Sequence, residues 1–325
     1  MITKAELLSI RAKAKNLKAI VVGDVMLDRY IYGTVDRISP EAPVPILAHL
    51  KTEVKVGGAG NVALNLASWG CKTSLVGLVG NDQNAGLLKS LLEKQNIGYK
   101  VIVSENRPTT VKTRVVAASH HLLRIDEESS AYLRGAEEET ALREILNYVE
   151  TEKPDLLIIQ DYNKGLLTVN LITELIEFCV KQKIFISVDP KEENFFQYRN
   201  ANLFKPNLRE ASIAAQKTLQ QPDLEGLCNL WSEKLNINTI AITLGSQGIY
   251  LHNQDNEYHI KPERAVDVVD VCGAGDAVIC SLTLGLIHGL DLEKSGSLAN
   301  LTGAYVCSHS GVVAINTDEI LSWLS

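Results

Sequence analysis

The strongest chemical signal in the sequence is the stretch Asp267-Val-Val-Asp-Val-Cys-Gly-Ala-Gly-Asp276, which runs into an apolar segment at residues 277–290. We expect a strand end, a glycine turn and a buried helix. Gly273 and Gly275 permit backbone conformations in which successive N–H groups point at one spot, and the following helix adds its positive dipole end. Such a spot suits a phosphate group.

Asp276 belongs to the same turn. The helix dipole favours its ionised form, so its carboxylate can accept a proton from a hydroxyl beside the phosphate. An anion hole with a base at its edge indicates phosphoryl transfer to an alcohol. The alternative is a tight turn whose aspartate only caps a helix.

Two further carboxylates follow an apolar run, Ala19-Ile-Val-Val-Gly23, that is typical of a buried parallel strand. Asp24 and Asp28 lie at its carboxyl end, where open α/β sheets bind their ligands. Asp28 could instead be a loop carboxylate paired with Arg29.

A glycine-rich stretch, Val56-Gly-Gly-Ala-Gly-Asn-Val-Ala63, opens a predicted helix. It satisfies the dinucleotide fingerprint, with Asp82 near the ribose-binding distance, which would indicate a dehydrogenase. The segment before it is short and charged, unlike the strand that this fingerprint requires. We favour a site where bare backbone lets a small polar ligand approach, with Asn61 hydrogen-bonding its hydroxyls.

Polar residues also follow the other apolar runs. These stretches are Gln160–Gly165, Asp189–Lys191 and Thr243–Gly248, while Lys205–Glu210 opens a helix. In a parallel sheet, all of them would gather at the edge that holds Asp24 and Asp276. Taken singly, each could be an ordinary loop residue.

The elements that position these residues alternate along the chain. Predicted strands lie at residues 74–79, 155–159, 184–188 and 239–243, and predicted helices at 4–18, 86–94, 137–150, 169–181, 208–216 and 224–235. This alternation is typical of an α/β fold, with a central, mostly parallel sheet and helices on both faces. We expect one domain over residues 1–325.

Two strand-rich excursions, at about residues 29–50 and 97–126, contain period-two alternation and, in the first, three prolines. We expect them to pair into a small β-strand lid over the main sheet.

The bulk properties limit the partners. The chain has 325 residues, of which 46% are hydrophobic and 22% charged, and its net charge of -7 leaves no basic footprint for nucleic acid. Its six cysteines form no C-x-x-C pair, which is typical of a reducing compartment and offers no zinc site. No signal-peptide core or membrane-length apolar run is present, so we expect a cytoplasmic protein with no membrane partner.

With these stretches in view, the chain resembles the ribokinase-like sugar kinases of the PfkB family. That resemblance rests on Gly57-Gly58-x-x-Asn61 and on the Gly-Ala-Gly-Asp that ends at Asp276. Within the family it is most similar to the D-glycero-D-manno-heptose 7-phosphate kinases of lipopolysaccharide precursor synthesis, between about residues 20 and 315. The motifs that carry this similarity are Asp24-Val-Met-Leu-Asp28-Arg-Tyr30, Arg37-Ile-Ser-Pro-Glu-Ala-Pro-Val-Pro45, Asp161-Tyr-x-Lys-Gly165, Asp189-Pro-Lys191 and Pro-Asn207-Leu-x-Glu210.

The resemblance implies ATP-dependent phosphorylation of the anomeric hydroxyl of the heptose 7-phosphate, with Mg²⁺ bridging the ATP phosphates. It also implies a ribokinase-like fold whose lid closes across a homodimer. Asp276 would be the base beside an anion hole of backbone N–H groups, and a second set of residues would hold the sugar. The implied positions are Gly273, Ala274 and Gly275 for the hole and Asp24, Asp28, Gly57, Gly58 and Asn61 for the sugar.

Other positions match the nucleotide site of the family. Asn207 and Glu210 match the family's N-x-x-E, which is associated with phosphate and, indirectly, with magnesium placement. The remaining positions are Thr243, Gly245 and Gly248 along the nucleotide, and Lys164 and Lys191 as phosphate contacts.

Two departures from the family pattern concern the turn before the base. Cys272 and Ala277 stand where relatives commonly carry threonine, and a thiol is a weaker hydrogen-bond donor than a hydroxyl. This leaves open whether K⁺ binds near Asp270 and Cys272. No H-x-G-H motif of a fused nucleotidylyltransferase occurs, so we expect a separate protein for the next pathway step.

Other functions stay open. Another PfkB-type kinase, for fructose, ribose or a hexose phosphate, would need the same base. A phosphorylated substrate requires a cationic pocket, which lid residues could supply: Arg29, Lys112, Arg114 and Arg124. A non-catalytic sugar- or nucleotide-binding regulator would not need the base, and the dehydrogenase remains the last alternative.

Overall fold

The computed structural model describes residues 2–118, 120–264 and 266–324. Its helices are α1 (Lys4–Ala14), α2 (Ala59–Ser68), α3 (Gln83–Lys94), α4 (Ala136–Glu152), α5 (Val169–Lys181), α6 (Leu208–Ala214), α7 (Leu224–Leu235), α8 (Ala274–Ile287), α9 (Leu292–Cys307) and α10 (Thr317–Trp323). Its strands are β1 (Lys18–Gly23), β2 (Val25–Ile38), β3 (Pro45–Gly58), β4 (Lys72–Gly80), β5 (Gly98–Ser104), β6 (Val111–Ala117), β7 (His120–Glu127), β8 (Leu156–Gln160), β9 (Phe185–Asp189), β10 (Leu203–Phe204), β11 (Thr239–Thr243), β12 (Ile249–Asn253) and β13 (Glu257–Ile260).

Within those residues, nine strands form one sheet in the order β13-β12-β11-β10-β9-β8-β1-β4-β5. The strands from β11 to β5 are parallel, and β12 and β13 add an antiparallel edge. The order reverses between β8 and β4, which both pair with β1. Ligands bind at such a switch point in open α/β sheets, and Asp24 directly follows β1 there.

Helices cover both faces of this sheet, because its buried strands carry apolar side chains on alternate sides. In β1, Val21 joins one core with α1, α2, α3, α8, α9 and α10, while Ile20 and Val22 join the other with α4, α5, α6 and α7. The predicted α/β class, with a mostly parallel sheet covered by helices on both faces, is confirmed.

The lid is a second sheet, with strands in the order β3-β2-β6-β7. Strands β2 and β3 leave the main body with almost no linker: only Asp24 separates β1 from β2, and α2 begins directly after β3. The lid therefore connects to the binding edge itself.

The structure corrects the lid assignment at residues 98–104. We predicted this stretch as lid, but β5 pairs parallel with β4 at the edge of the main sheet. Helix α3 joins β4 to β5, so the three form a β-α-β unit, and its alternating pattern comes from one half-exposed face.

The predicted strand before the glycine turn is also wrong. Residues 266–271 form no regular element, and the side chains of Val268, Val269 and Val271 are 65%, 60% and 67% exposed. Backbone N–H groups of Val269 and Asp270 reach only the carbonyl of Cys307. The valine-rich pattern reflects the wall of a pocket described below, not a sheet.

All six cysteines are free, as expected for a chain without disulfides. Among the described residues, no helix combines the length and the apolar character needed to cross a membrane.

Candidate active site

Asp276 lies in the first turn of α8, where the chain enters the helix through Gly273 in a left-handed conformation (φ 81°). Its carboxylate is only 5% exposed and accepts three hydrogen bonds. Asn61 Nδ2 donates at 2.7 Å, Tyr162 OH at 3.0 Å and Gln160 Nε2 at 3.4 Å. The donors come from α2 and from the end of β8, so three elements converge on this carboxylate.

Burial raises the pKa of Asp276 to about 7. The hydrogen bond from Asn61 opposes this rise, the negative charge of Asp189 reinforces it, and Tyr162 and Lys205 oppose it. A carboxylate with a pKa near neutrality can both take and release a proton at physiological pH, as a general base requires.

The predicted anion hole has a mixed geometry. The N–H of Ala274 points back to the carbonyl of Val271 at 3.3 Å. Gly275 and Asp276 occupy the first turn of α8, whose N–H groups have no acceptor within the helix and lie at its positive end. A Cβ atom on Gly275 would lie 3.8 Å from Lys205 Nζ, so a buried ammonium also reaches this turn.

Two amide oxygens beside Asp276 have no hydrogen-bond partner among the described residues. They are Oδ1 of Asn61 and Oε1 of Gln160, and both side chains are at most 2% exposed. A buried unsatisfied polar atom costs about 1–3 kcal/mol, so these two oxygens are candidate contacts for a ligand. Hydroxyl groups of a sugar would satisfy both oxygens.

Asp24, a predicted sugar contact, is directed elsewhere. Its carboxylate accepts the backbone N–H groups of Tyr162 (2.9 Å), Lys164 (2.9 Å) and Leu166 (3.4 Å), and it is only 2% exposed. Burial raises its pKa to about 6, with a contribution from Asp161. In this structure Asp24 holds the loop after β8.

The structure gives Gly57 and Gly58 a different reason from the predicted ligand approach. A Cβ on Gly57 would collide with the carboxylate of Asp28, and one on Gly58 (φ 59°) with the carbonyl of Asp24. Asp28 is buried and forms an ion pair with Arg114. Gly57 therefore makes room for the carboxylate of Asp28, and Gly58 makes room for the backbone carbonyl of Asp24.

Arg29, Lys112 and Arg124, which we predicted as lid cations, lie in three different surroundings. Arg29 faces α3, where it donates to Asn84 Oδ1 at 2.9 Å. Lys112 lies on the opposite side, next to Asp28 in register, and its Nζ is 3.0 Å from Glu128 Oε2. Arg124 is largely exposed and pairs with Asp126.

Lys164 joins Lys112 instead of the nucleotide side. Its Nζ lies 2.8 Å from Glu128 Oε1, so one glutamate carboxylate bridges two ammonium groups. We name Lys112, Lys164 and Glu128 the lysine clamp. The prediction that Lys164 contacts a nucleotide phosphate does not fit this position, because the lysine clamp lies at the lid.

On the other side of Asp276 lies a cavity of about 500 Å³. It is lined by Thr243, Gly245, Gly248, Val266, Val268, Val271, Ala274, Gly275, Val278, Asn300 and Cys307, among others. Gly245 and Gly248 both have positive φ, and a Cβ on Gly248 would meet the carbonyl of Ile260. Val266, Val268 and Val271 form its apolar wall, which suits the flat face of a nucleotide base.

Asn207 and Glu210 form a capping box at the start of α6, with Asn207 N donating to Glu210 Oε2 at 2.8 Å and Glu210 N to Asn207 Oδ1 at 2.9 Å. The other oxygen of Glu210 pairs with Lys191. Burial and then the charge of Asp189 raise the pKa of Glu210, while Lys191 opposes this.

Among the described residues, no cluster of carboxylate, histidine or cysteine side chains could hold a metal ion directly. Both oxygens of Glu210 are already paired, and Asp189 is bound by Lys205 at 3.0 Å and by Gln160. This donor set fits a Mg²⁺ ion that takes its ligands from phosphates and water, with Glu210 acting only indirectly.

Asp270 and Cys272 shape the turn before α8. Asp270 accepts the N–H groups of Cys272 and Gly311, both at 3.0 Å. Burial acts to raise the pKa of Asp270, but these donors outweigh it and leave the pKa lowered. Burial, then Asp270, raises the pKa of Cys272 to about 11, so Cys272 is a neutral thiol.

Three residues in the site received no role from the sequence: Gln160, Tyr162 and Lys205. Each lies in a stretch that we placed at the binding edge: Gln160 ends β8, Tyr162 lies in the loop after it, and Lys205 follows β10. Their roles depend on side-chain directions, and β10 has only two residues, so it gives almost no periodic signal.

The dinucleotide fingerprint lacks its structural context. The strand before Gly58 is β3, an antiparallel lid strand, and Asp82 caps α3 by accepting the N–H of Ala85 at 3.0 Å. In the described part of the chain, β3 pairs only with β2, so the strand that leads into these glycines does not belong to a parallel β-α-β unit.

Comparison with known families gives a match to the pfkB family carbohydrate kinases over residues 16–319. Curated relatives named "Bifunctional protein HldE" include those of Koribacter versatilis, 38% identical over 94% of this chain and 63% of that protein, and Geobacter sulfurreducens, 34% identical over 97% and 64%. The chain thus spans under two thirds of the length of these relatives. Because they are bifunctional, a separate downstream nucleotidylyltransferase is not supported.

Solved structures share the fold. Phosphofructokinase-2 from Escherichia coli in complex with substrates and products has a TM-score of 0.78 at 21% identity, covering 95% of this chain and 99% of that one. Ribokinase from Arabidopsis thaliana, complexed with ribose and ATP, has a TM-score of 0.70 at 16% identity, covering 94% and 98%. At these identities the likeness shows a shared fold alone.

Proposed function

The chain belongs to the PfkB family of carbohydrate kinases, and on that premise we propose that it phosphorylates the anomeric hydroxyl of D-glycero-D-manno-heptose 7-phosphate with ATP. The product would be the 1,7-bisphosphate, a precursor of ADP-heptose and the lipopolysaccharide core. The HldE relatives, which are heptose kinase/ADP-heptose synthase proteins, support the choice of sugar.

The observation that carries the kinase chemistry is the position of Asp276. Its carboxylate meets Asn61, from the helix that follows the lid, while Ala274 and Gly275 of the same turn line the 500 Å³ cavity. A sugar hydroxyl on one side and a γ-phosphate on the other would meet at this residue.

In the proposed reaction, Asp276 accepts the proton of the anomeric hydroxyl while the oxygen of that hydroxyl attacks the γ-phosphorus of ATP. The bond from that phosphorus to the β,γ-bridging oxygen breaks, and ADP leaves with the electron pair. The free N–H groups of the first turn of α8 and the ammonium of Lys205 would stabilise the transferring phosphoryl group.

ATP would place its base against the valine wall of the cavity and its phosphates towards Gly275. Mg²⁺, when bound, would neutralise charge on the β- and γ-phosphates. Glu210 and Asn207 hold the start of α6 beside that path, and Lys191 screens the carboxylate of Glu210. K⁺ stays a weaker proposal, because Cys272 offers only a thiol.

The lysine clamp bears on the identity of the sugar. If the substrate carries a phosphate, its dianion would replace the Glu128 carboxylate between Lys112 and Lys164. Because Glu128 already neutralises both lysines, the same geometry favours a second candidate: a PfkB kinase for a sugar without a phosphate.

We also propose a homodimer that forms through the lid in the cytoplasm. Every residue of β7 is exposed, including Leu122, Leu123 and Ile125, which are 42%, 56% and 48% exposed. Three apolar side chains on an unpaired strand edge are suited to covering by a second copy.

The test is ADP release with magnesium-ATP and a panel of heptose 7-phosphate, fructose 6-phosphate, fructose and ribose. We expect turnover selective for heptose 7-phosphate. Turnover selective for fructose or ribose would replace the heptose assignment by the second candidate, and no turnover on any sugar would favour a binding regulator.

A further inference from the structure

The loop after β8 contains a residue that contacts the proposed base directly. Tyr162 OH donates to Asp276 Oδ1 at 3.0 Å, and burial raises the pKa of Tyr162 well above its usual value, reinforced by Asp276. This phenol is therefore always a donor at physiological pH. A hydrogen bond from a neutral donor stabilises the ionised form of a carboxylate.

The position of Tyr162 is set by Asp24, on the other side of the loop. Asp24 accepts three backbone N–H groups between residues 162 and 166, starting with that of Tyr162 itself. The Asp24 backbone also belongs to the sheet, since its N–H donates to the carbonyl of Gln160 at 3.1 Å. The loop is thus attached to the end of β1 by a buried carboxylate.

We propose that Tyr162 is a positioning residue that keeps the Asp276 carboxylate ionised and aimed at the sugar hydroxyl, and that Asp24 acts by holding the Tyr162 loop instead of by binding sugar. This inference rests on the proposed role of Asp276 as base. Oδ1 of Asp276 accepts from Tyr162 and Gln160, whereas Oδ2, among the described residues, accepts only from Asn61 and retains a lone pair for the substrate.

Other ionisable groups around Asp276 must be considered, since they also influence its titration. They are Asp189 at the end of β9, Lys205 after β10 and Cys280 one turn further along α8, while α2 contributes only the neutral Asn61. Lys191 lies 5.6 Å from the centre of the Tyr162 ring. Replacement of tyrosine by phenylalanine leaves all of these groups in place and removes only the phenolic donor.

The experiment is the pH profile of kcat for Tyr162→Phe, measured with magnesium-ATP and the sugar that the wild type turns over. We expect the acid limb to move up by about one pH unit, because a hydrogen bond to a charged group is worth about one to two pKa units. At pH 6.5 kcat should therefore fall about tenfold, with recovery to within about threefold at pH 8.5.

Tyr250→Phe is the matched control, because it removes another buried phenolic donor to a carboxylate, that of Glu257. Its pH profile should equal that of the wild type. An unchanged profile for Tyr162→Phe, or an equal loss at every pH, would overturn the positioning role while leaving wild-type turnover as support for the kinase. A wild type inactive on every sugar would instead overturn the proposed function.

Asp24→Asn separates the two roles of Asp24. Loss of carboxylate acceptors should loosen the loop, move the acid limb in the same direction as in Tyr162→Phe, and change the KM for sugar by less than about threefold. A KM that rises tenfold or more, with an unmoved acid limb, would identify Asp24 as a sugar ligand.

Discussion

Asp276 is the residue on which turnover should depend most strongly. We expect Asp276→Asn to lower kcat by about 10²–10⁴-fold, the usual contribution of a general base, with little change in the KM for sugar. Because the pKa of Asp276 is raised to about 7, wild-type kcat should fall as the pH drops through 7, and this dependence should vanish in the variant. Asp255→Asn, at an exposed loop position, is the control. Near-normal turnover of Asp276→Asn would exclude Asp276 as the base.

Gly273 is the second residue with a sharp prediction. Its φ is 81°, and a Cβ would lie 2.7 Å from Asn61 Nδ2. Gly273→Ala should therefore push Asn61 away from Asp276 and lower kcat by at least tenfold. The left-handed strain should also lower the free energy of unfolding by about 1–2 kcal/mol.

Gly289→Ala is the matched control for this change. Gly289 has nearly the same φ, 80°, but no atom lies within 4 Å of its Cβ position. Urea unfolding should show a similar loss of stability for both variants, while only Gly273→Ala loses activity. Equal activities would mean that the contact with Asn61 does not matter.

At this scale the sequence predicted Asp276 as the base and Asn61 as a site residue, but it assigned no role to Tyr162 or Lys205. Gly-Ala-Gly-Asp marks Asp276 because the spacing itself carries the chemistry. Tyr162 and Lys205 contact the same turn only because β8, β9 and β10 are adjacent in the sheet, and strand order is not encoded in any local motif. Asp24 was placed at the correct edge, but its partners are backbone N–H groups of a distant loop.

Among the elements, α6 is short enough to depend on its cap. It has seven residues, and Asn207 and Glu210 satisfy its first N–H groups reciprocally. We expect Asn207→Ala to lower the free energy of unfolding by about 1 kcal/mol. It should also raise the KM for ATP, because the backbone N–H of Glu210 loses its acceptor and the start of α6 loosens beside the proposed nucleotide path.

Thr168→Ala is the control for the cap alone. Thr168 caps α5 by accepting the N–H of Leu171 at 3.1 Å, on the face of the sheet away from α8. Its stability loss in urea should be similar and its KM for ATP unchanged. A KM change in both variants would assign the effect to general loosening of the fold.

The elements themselves were largely predictable where their periodicity is local. The boundaries of α5 and α7 match those expected from the sequence, because caps and apolar spacing agree there. Strand β5 was assigned to the wrong sheet, since alternation predicts a half-exposed strand but does not identify its neighbour. Residues 266–271 were predicted as strand because exposed valines look the same in a sheet and in a pocket wall.

At the scale of the whole molecule, the exposed apolar residues of β7 in the lid predict a homodimer. We expect the wild type to sediment as a dimer and Leu123→Glu to sediment as a monomer, because a charge in the covered strand face would be costly to bury. Leu230→Glu, at a site 57% exposed on α7, should leave the mass unchanged. A monomeric wild type at micromolar concentration would exclude the lid-mediated dimer.

The joints between lid and body have a mechanical consequence. Asp24 is the only residue between β1 and β2, β3 runs directly into α2, and Ala59 N donates to the carbonyl of Asp24 at 2.9 Å, so the two joints are tied together. Strands β2 and β3 have 14 residues each, and we expect any rotation of the lid to pivot about Asp24 and Gly58. Such a rotation of β2 and β3 would turn α2, which carries Asn61, and would displace the loop that carries Tyr162. We therefore expect lid closure to align the carboxylate of Asp276, so that the catalytic rate depends on the position of the lid.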